Sequence, residues 1–254
     1  MRDAFQLDGK TALVTGGSRG LGLVFARGLG LAGARVVING RNEEQLSAAV
    51  KTLQESGIDA AGYSFDVTDP ESVAAAWPRM TAEVGDIEIL VNNAGIQHRA
   101  PLEEFPFDDW QRILRTNLTS PFVVAKQAVR SMIPRRRGKI INICSMQSEL
   151  GRRTIAPYAA SKGGLKMLTR AMAVEWAQHN IQVNGVGPGY FLTEMTQPLA
   201  DNPEFDAWLK GRTPAGRWGD PEELLGALAL LASPASDFIN GQVIYVDGGL
   251  SAAI

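Results

Sequence analysis

The chain has 254 residues, 45% of them hydrophobic and 20% charged, and its formal net charge at pH 7 is −2. These values are ordinary for a globular protein, and they favour neither nucleic acid nor an anionic membrane surface as a partner. A single cysteine, Cys144, excludes an internal disulfide and fits a reducing compartment. The N-terminal residues lack the apolar run of a signal peptide, and no stretch approaches the roughly 20 apolar residues of a membrane span. We therefore expect a cytoplasmic protein with no membrane partner.

Apolar runs alternate with segments of helical composition along the chain. The predicted strands are Thr11–Thr15, Arg35–Asn39, Ala60–Phe65, Ile87–Asn92, Lys139–Ser145, Ile181–Gly187 and Gln242–Val246. The predicted helices are Gly20–Leu31, Glu43–Ser56, Pro70–Val84, Asp108–Pro134, Pro157–His179 and Pro221–Leu231. Because strands with little polar alternation are buried on both faces, this order predicts an α/β protein. We expect one Rossmann-type doubly wound domain over residues 1–254, with helices on both faces of a seven-stranded parallel sheet.

Two helix starts and one irregular segment stand out from this alternation. Asp69 and Asp220 directly precede Pro70 and Pro221, and an N-cap carboxylate followed by proline is typical of a helix start. From about residue 188 to 220 the alternation stops, and the segment holds several prolines and aromatic residues. Since it follows the end of a predicted strand, it predicts a lid over a substrate site. An ordinary surface loop with a short helix is the alternative.

The first predicted strand leads into a glycine-rich turn, Thr15-Gly16-Gly17-Ser18-Arg19-Gly20-Leu21-Gly22. Glycines spaced G-x-x-x-G-x-G let the main chain turn tightly and approach a pyrophosphate without obstruction by a Cβ atom. The positive N-terminal end of the following helix attracts the same group. The pattern predicts a dinucleotide site that includes Gly16, Ser18, Arg19, Gly20, Leu21 and Gly22.

The end of the second predicted strand bears on the choice between NAD and NADP. An acidic residue there would bind the ribose 2′-hydroxyl and repel a 2′-phosphate. The sequence instead has Asn39-Gly40-Arg41, with no carboxylate. The guanidinium groups of Arg41 and Arg19 suit a phosphate. We expect NADP to be preferred, with NAD possible, and Asn39 and Arg41 to be part of the cofactor site.

A serine, a tyrosine and a lysine predict the chemistry. Tyr158 and Lys162 are one helical turn apart, so they share a helix face. A neighbouring ammonium and a helix N-terminus would lower the pKa of Tyr158, which then could exchange a proton near neutral pH. Ser145, predicted at the end of the fifth strand, could hold the substrate oxygen beside the tyrosine. The arrangement predicts hydride transfer at a carbinol or carbonyl carbon, with Tyr158 as the acid/base.

These motifs resemble those of the short-chain dehydrogenase/reductase family over nearly the whole chain. The matching segments are Thr15–Gly22, Asp66-Val67, Asn92–Gly95, Tyr158 with Lys162, and Pro188-Gly189. The resemblance implies a catalytic tetrad of Asn117, Ser145, Tyr158 and Lys162, in which the Asn117 carbonyl holds a water of a proton relay. It also implies cofactor contacts from Asp66, Val67, Asn93, Ala94, Gly95, Lys162, Tyr158, Pro188, Gly189 and Thr193. The family is usually tetrameric, so we expect a homotetramer.

A closer similarity is to the gluconate 5-dehydrogenases. It rests on Asn142–Gly151, Ile181–Gly185, Gly189–Met195 and Arg212–Pro221, of which the Ser-Met-Gln-Ser-Glu-Leu-Gly run borders the substrate side. The similarity implies interconversion of D-gluconate and 5-dehydro-D-gluconate, commonly with NADP(H). Candidate substrate contacts are Ser145, Gln147, Glu149, Arg99, Arg152 and Tyr158. Glu149 suits an anionic ligand only if an arginine neutralises it, and Arg153 is a weaker candidate than Arg152.

Several alternatives remain open from the sequence. A reductase of 3-oxoacyl thioesters or of another polyol would share the tetrad, and a cofactor-binding regulator without catalysis would share the glycine turn. A zinc alcohol dehydrogenase is disfavoured because the two histidines lack metal-ligand spacing, so we expect no metal. His98 is not needed as a base beside Tyr158 and Lys162. Cys144 is predicted to be a buried strand cysteine rather than a nucleophile.

Overall fold

Seven strands form one all-parallel sheet in the order β3-β2-β1-β4-β5-β6-β7. The computed structural model describes residues 2–253. The strands are β1 Thr11–Val14, β2 Arg35–Gly40, β3 Ala60–Ser64, β4 Ile89–Asn92, β5 Gly138–Ile143, β6 Ile181–Pro188 and β7 Val243–Val246. The predicted doubly wound, seven-stranded sheet is confirmed.

The helices are α1 Gly20–Leu31, α2 Glu43–Glu55, α3 Pro70–Val84, α4 Phe107–Leu114, α5 Ser120–Arg135, α6 Ala156–Trp176, α7 Gln197–Ala200, α8 Pro203–Arg212 and α9 Leu225–Ala232. Both predicted N-caps are confirmed. The Asp69 side chain accepts from the Glu71 N–H at the start of α3. Asp220 accepts from the Glu222 N–H and closes a capping box with Glu223 in the 3-10 turn before α9.

Consecutive strand residues point to opposite faces of the sheet, and each face has its own core. Ala12 and Val14 of β1 pack into the cluster under α1, α2 and α9, whereas Leu13 between them packs into the cluster under α3, α5 and α6. All three side chains are fully buried. Burial on both faces is the reason that these strands appear in the sequence as continuous apolar runs.

Two predicted elements differ from the structure close to the predicted catalytic residues. The predicted fifth strand runs to Ser145, but β5 ends at Ile143, and Ser145 instead caps a 3-10 turn, Met146–Ser148. The single helix predicted over Asp108–Pro134 is divided into α4 and α5 by a π-helical turn, Arg115–Thr119. Such a turn inserts a residue into the helical ladder and often marks a functional position.

The sheet brings four loops to one edge. β1 and β4 are neighbours although α1, β2, α2, β3 and α3 separate them along the chain, so the strand order reverses between them. In doubly wound sheets, ligands bind beyond the carboxyl ends of the strands at this reversal. The loops after β1, β4, β5 and β6 carry most of the predicted site residues, and all four end here. The predicted irregular segment follows β6 and contains α7 and α8, which sequence periodicity did not resolve.

Within residues 2–253, no helix combines the length and the hydropathy needed to cross a bilayer.

Candidate active site

The glycine turn between β1 and α1 is shaped by close main-chain contacts. Gly16 adopts φ +62°, a left-handed conformation that favours glycine. A Cβ atom at Gly22 would lie 2.1 Å from the Gly16 carbonyl oxygen and 2.5 Å from Asn93 Nδ2. Asn93 donates to the carbonyl oxygens of Thr15 and Gly16 at 3.0 and 3.1 Å. Its amide therefore ties the loop after β4 to this turn.

The start of α1 is suited to a phosphate. Arg19 is its N-cap and offers no side-chain hydrogen bond to the first turn, which holds no acidic residue. The N–H groups there stay available to an anion, and the helix dipole favours one. A cradle kept open by glycine at this point fits the pyrophosphate of a dinucleotide.

The end of β2 lacks a carboxylate and is bordered by two arginines. A Cβ atom at Gly40 would lie 3.1 Å from Ser18 Oγ, so residue 40 faces the glycine turn. Among residues 2–253, Arg19 and Arg41 have no ion-pair partner closer than 4.0 Å. Asn39 is buried and donates to the carbonyl oxygens of Tyr63 and Phe65. It therefore fixes β2 to β3 rather than offering its amide to a ligand.

Asp66 and Val67 follow β3 at the same edge of the sheet. Asp66 Oδ1 accepts from the N–H and the hydroxyl of Thr68, both at 2.8 Å, and this stabilises the turn into α3. Val67 is buried against α3. Pro188 ends β6 and Gly189 follows it. A Cβ atom at Gly189 would lie 2.7 Å from Asp247 Cα, so glycine allows the chain to leave the sheet here.

The four tetrad candidates lie in one region. Lys162 Nζ donates to the Ile143 carbonyl at 2.5 Å and lies 5.7 Å from the centre of the Tyr158 ring. Ser145 is 7% exposed and close enough to Tyr158 to affect its titration. Asn117 lies in the π-helical turn and is fully buried. Its Oδ1 accepts from the Ile96 N–H at 2.8 Å, and its Nδ2 donates to the Ile96 carbonyl at 2.9 Å.

Burial governs the titration of both groups on α6. It lowers the pKa of Lys162 to about 8. It also raises the pKa of Tyr158 above its usual value, although the neighbouring Ser145 hydroxyl opposes this shift. The expectation that Lys162 would lower the pKa of Tyr158 was wrong, because desolvation of the phenol raises this pKa and outweighs the hydrogen bond with Ser145. Tyr158 therefore carries its proton at neutral pH.

Two serines that the sequence analysis missed hold α6 in register with these groups. Ser161 is fully buried. Its hydroxyl accepts a hydrogen bond from Asn117 Nδ2 at 3.1 Å and donates to the Tyr158 carbonyl at 2.7 Å. Ser148 donates to the Lys162 carbonyl at 2.9 Å and accepts from the Ser145 N–H at 3.4 Å. Their main signal is proximity in sequence to a tetrad residue, which is too weak to find them without the structure.

The loops after β4 and β5 bring two arginines together. The Ala100 N–H donates to the Thr154 carbonyl at 3.1 Å and joins these loops. Arg99 and Arg152 stand within two residues of this bond, and the charge of Arg152 adds to the desolvation that lowers the pKa of Arg99. Arg152 donates to the hydroxyl of Tyr190, a residue that the sequence analysis did not select although it directly follows Pro188-Gly189. Tyr190 in turn contributes to the raised pKa of Tyr158.

The other predicted substrate residues differ in their environments. Gln147 is 7% exposed, and its buried Oε1 has no hydrogen-bond partner among residues 2–253. Glu149, by contrast, is already paired: it accepts from Lys166 Nζ and from the Tyr245 hydroxyl, and these bonds lower its pKa. His98 lies 3.6 Å from Asp109 and stacks edge-on against Phe105. Arg153 is exposed.

Thr193 and Cys144 complete the predicted positions. Thr193 lies at the start of the segment after β6, where its N–H donates to Thr196 Oγ1 at 2.9 Å. Cys144 is 2% exposed, and burial raises its pKa to about 11, which keeps it a thiol. Within residues 2–253, no group of three or more His, Cys, Asp or Glu side chains could hold a metal ion.

Comparison with known proteins agrees with this geometry. The short chain dehydrogenase family profile matches residues 10–204. The chain is 52% identical over 254 residues to 5-keto-D-gluconate 5-reductase of Escherichia coli, covering 100% of both chains. It is also 52% identical to 2-dehydro-3-deoxy-D-gluconate 5-dehydrogenase of Formosa agariphila, covering 99% of this chain and 96% of that one.

A solved structure extends the comparison to the fold. Gluconate 5-dehydrogenase from Burkholderia cenocepacia, in complex with NADP and tartrate, has a TM-score of 0.97 and 54% identity, covering 100% of this chain and 99% of that one. The family profile matches most of the chain, and several relatives are more than 50% identical to it, so its family is clear. The chain belongs to the short-chain dehydrogenase family.

Proposed function

We propose that this protein is an NADP-dependent oxidoreductase that interconverts D-gluconate and 5-dehydro-D-gluconate. The observation that carries the choice of a sugar acid is the pair Arg99 and Arg152, which have no ion-pair partner within 4.0 Å among residues 2–253. Arg152 donates to the Tyr190 hydroxyl, and Tyr190 is near enough to Tyr158 to add to the rise in its pKa. Two neighbouring guanidinium groups beside a reacting tyrosine call for an anion, and a carboxylate fits them.

The roles of the tetrad follow from their environments. Nicotinamide, when bound, supplies or accepts the hydride at the reacting carbon. Tyr158 carries its proton at neutral pH and gives it to the oxygen of the ketone in reduction, or takes it from the alcohol in oxidation. Ser145 donates to the same oxygen and orients it. Lys162, whose pKa is about 8, replaces the proton on Tyr158, and Asn117 in the π-helical turn supports the relay behind it.

The cofactor site is proposed to use the glycine turn and the strand ends around it. The turn from Gly16 to Gly22 takes the pyrophosphate, and Ser18, Arg19 and Arg41 take the 2′-phosphate. Asp66 and Val67 border the adenine, and Asn93, Ala94 and Gly95 border the adenosine. Pro188, Gly189 and Thr193 border the carboxamide. Asn39 acts only through the strand pairing described above.

The substrate site is proposed to use Arg99 and Arg152 for the carboxylate and Gln147 for a hydroxyl. The buried Oε1 of Gln147 supports this role, because an acceptor without a partner is costly and a substrate hydroxyl would satisfy it. Glu149 is not included in the proposed substrate site, because its carboxylate already accepts hydrogen bonds from Lys166 and Tyr245. Residues 188–220 are proposed to form the lid of this one-domain enzyme.

The test measures turnover in both directions. Reduction of 5-dehydro-D-gluconate, neutral ketoses and 3-oxoacyl thioesters is followed with NADPH and NADH, and oxidation of D-gluconate and 2-dehydro-3-deoxy-D-gluconate with NADP+ and NAD+. The F. agariphila relative makes the deoxy sugar acid the second candidate, and it shares the carboxylate. The highest kcat/KM should be found with a sugar acid and NADPH. Higher kcat/KM with an acyl thioester would overturn the proposal, and NADPH binding without turnover of any substrate would instead indicate a regulator.

We also propose a cytoplasmic homotetramer. Exposed apolar residues on α4, α5 and α6 support self-association: Phe107, Phe122, Met167 and Val174 are 69%, 46%, 59% and 81% exposed. Met167 and Val174 are two helical turns apart, so they lie on one face of α6. Association through this face would cover them.

A further inference from the structure

Arg152 is enclosed by aromatic rings of the segment after β6. Its guanidinium carbon lies 5.6 Å from the centre of the Tyr190 ring, 4.7 Å from that of Phe205 and 5.6 Å from that of Trp208. It also donates to the Tyr190 hydroxyl. We name Tyr190, Phe205 and Trp208 the aromatic cage. Arg152 itself belongs to the loop after β5, so the contact joins the substrate loop to the proposed lid.

The cage residues also belong to the aromatic and apolar contacts that pack the proposed lid against the rest of the protein. Tyr190 and Phe205 pack edge-on at 5.7 Å between ring centres, and both contact the ring of Trp218. Behind them, Leu209 and Trp218 share a small core with Met146, which directly follows Ser145, and with Leu250 near the C-terminus. Movement of α8 would therefore disturb both the cage and the loop that carries Ser145.

Arg152, the cation inside the aromatic cage, has a second cation, Arg99, on the neighbouring loop. The Ala100–Thr154 hydrogen bond joins the loops that carry Arg99 and Arg152, and the charge of Arg152 adds to the desolvation that lowers the pKa of Arg99. Among residues 2–253, neither guanidinium has a carboxylate partner within 4.0 Å. Aromatic faces stabilise one guanidinium but leave the repulsion between the two in place. An anion between Arg99 and Arg152 would remove that repulsion and would strengthen the hold of Arg152 in the cage.

We propose that the aromatic cage around Arg152 couples binding of the substrate carboxylate to closure of the lid, and so makes Phe205 and Trp208 determinants of the preference for anionic over neutral substrates. The inference rests on the proposed function in taking a carboxylate as the ligand of the arginine pair. Phe205 and Trp208 act as positioning residues, because they reach the substrate only through Arg152. By linkage, an anion that favours the closed lid binds more tightly when the cage is intact.

The first experiment compares two ligands that differ at one carbon. D-Sorbitol is D-gluconate with a neutral CH₂OH group in place of the carboxylate. We expect Phe205→Leu and Trp208→Leu to raise the KM for D-gluconate about fivefold to tenfold, the loss of one cation–π contact. The Ki of D-sorbitol as a competitor should change less than about twofold, and kcat should stay within about twofold. Met195→Ala, which removes another exposed lid side chain outside the cage, is the matched control.

Arg152→Lys provides a second variant in case a smaller cage side chain unfolds the lid. Lysine keeps the charge but loses the planar group that stacks on three rings. The KM for D-gluconate should rise at least as much as in the cage variants. An equal change in the D-sorbitol Ki, or an unchanged D-gluconate KM in Phe205→Leu and Trp208→Leu, would overturn the coupling.

Hydrogen exchange of the lid separates the coupling from the catalytic proposal. In the NADPH-bound enzyme, saturating D-gluconate should slow amide exchange in residues 189–218, and saturating D-sorbitol should not. Phe205→Leu should abolish the slowing, whereas Met195→Ala should retain it. If the enzyme fails to turn over sugar acids but shows this anion-dependent protection, the proposed function fails and the coupling stands. If turnover is normal and both ligands protect equally, the coupling fails.

Discussion

At the scale of single residues, the proposed chemistry depends on two groups whose titration is set by burial. Burial shifts both pKa values toward the uncharged form: it raises the pKa of Tyr158 and lowers that of Lys162 to about 8, so both groups still carry a proton at neutral pH. Because the groups are neighbours, the protons they lose belong to the pair rather than to either residue alone. The sequence predicts the pair, but the direction in which burial moves each pKa depends on what surrounds it.

The first residue-scale prediction concerns Tyr158→Phe. Removal of the hydroxyl should lower kcat by about 10²–10⁴-fold in both directions, the usual contribution of a general acid/base. The Kd for NADPH, followed by its fluorescence on titration, should change less than about threefold, since the ring remains. Activity retained within tenfold of the wild type would remove Tyr158 from its proposed role.

The second residue-scale prediction is the pH dependence. Reduction needs a proton on Tyr158, and oxidation needs the pair to have lost one. Because burial lowers the pKa of Lys162 to about 8, the pair loses its first proton on passing that pH. The kcat/KM for reduction should therefore fall, and that for oxidation should rise, as the pH increases from 7 to 9.

Initial rates of reduction and of oxidation between pH 7 and 9 measure this pH dependence of kcat/KM. Lys162→Arg, which keeps a charge that does not titrate there, should flatten the step near pH 8. A profile that keeps the step in this variant would assign it to another group.

The third residue-scale prediction concerns Gly40→Asp at the end of β2. A carboxylate there would face Ser18 and repel the 2′-phosphate, so the ratio of kcat/KM for NADPH over NADH should fall roughly tenfold to a hundredfold. Gly40→Ala is the control, because it adds the same Cβ atom 3.1 Å from Ser18 Oγ without the charge. Equal losses in the two variants would point to steric effects and away from selectivity by charge.

At the scale of elements, the first βα unit depends on close packing that only glycine allows. A Cβ atom at Gly22 of α1 would lie 2.1 Å from the main-chain oxygen of Gly16, which cannot move without moving the turn. A Cβ atom at Gly226 of α9 would meet nothing within 4 Å. Both glycines are helical, so the pair distinguishes contact with the phosphate turn from helix propensity.

We therefore expect Gly22→Ala to lower the free energy of unfolding by about 1–3 kcal/mol and to weaken NADPH binding. Gly226→Ala should leave binding unchanged and raise the free energy of unfolding by at most about 1 kcal/mol. Urea unfolding and NADPH titration of both variants measure these effects. If Gly22→Ala binds NADPH as the wild type does, the turn does not form the proposed pyrophosphate site.

At the scale of the whole molecule, the exposed apolar face of α6 should decide the assembly. Val174 is 81% exposed, and Val174→Lys would place a charge inside a contact between copies. We expect the wild type to be a tetramer by light scattering and Val174→Lys to be a dimer or monomer. Leu31→Lys, at a 61% exposed position of α1, is the control and should remain tetrameric. A monomeric wild type would overturn the proposed assembly.

Sequence alone determined the sheet, the glycine turn and the shared helix face of Tyr158 and Lys162, because each is encoded locally. Continuous apolar runs specify buried strands, glycine spacing specifies a turn, and Tyr158 and Lys162 share a face wherever a helix forms. The limits of α3 and the two N-caps were predicted correctly for the same reason.

Only the tertiary structure decided how these parts are held and what they face. The π-helical turn at Asn117, the serine contacts to α6 and the pairing of Glu149 with Lys166 join residues that are distant in sequence. Burial set the titration of Tyr158, and the meeting of two loops brought Arg99 to Arg152. Such features depend on three-dimensional neighbours and on desolvation, and no local pattern in one chain encodes either.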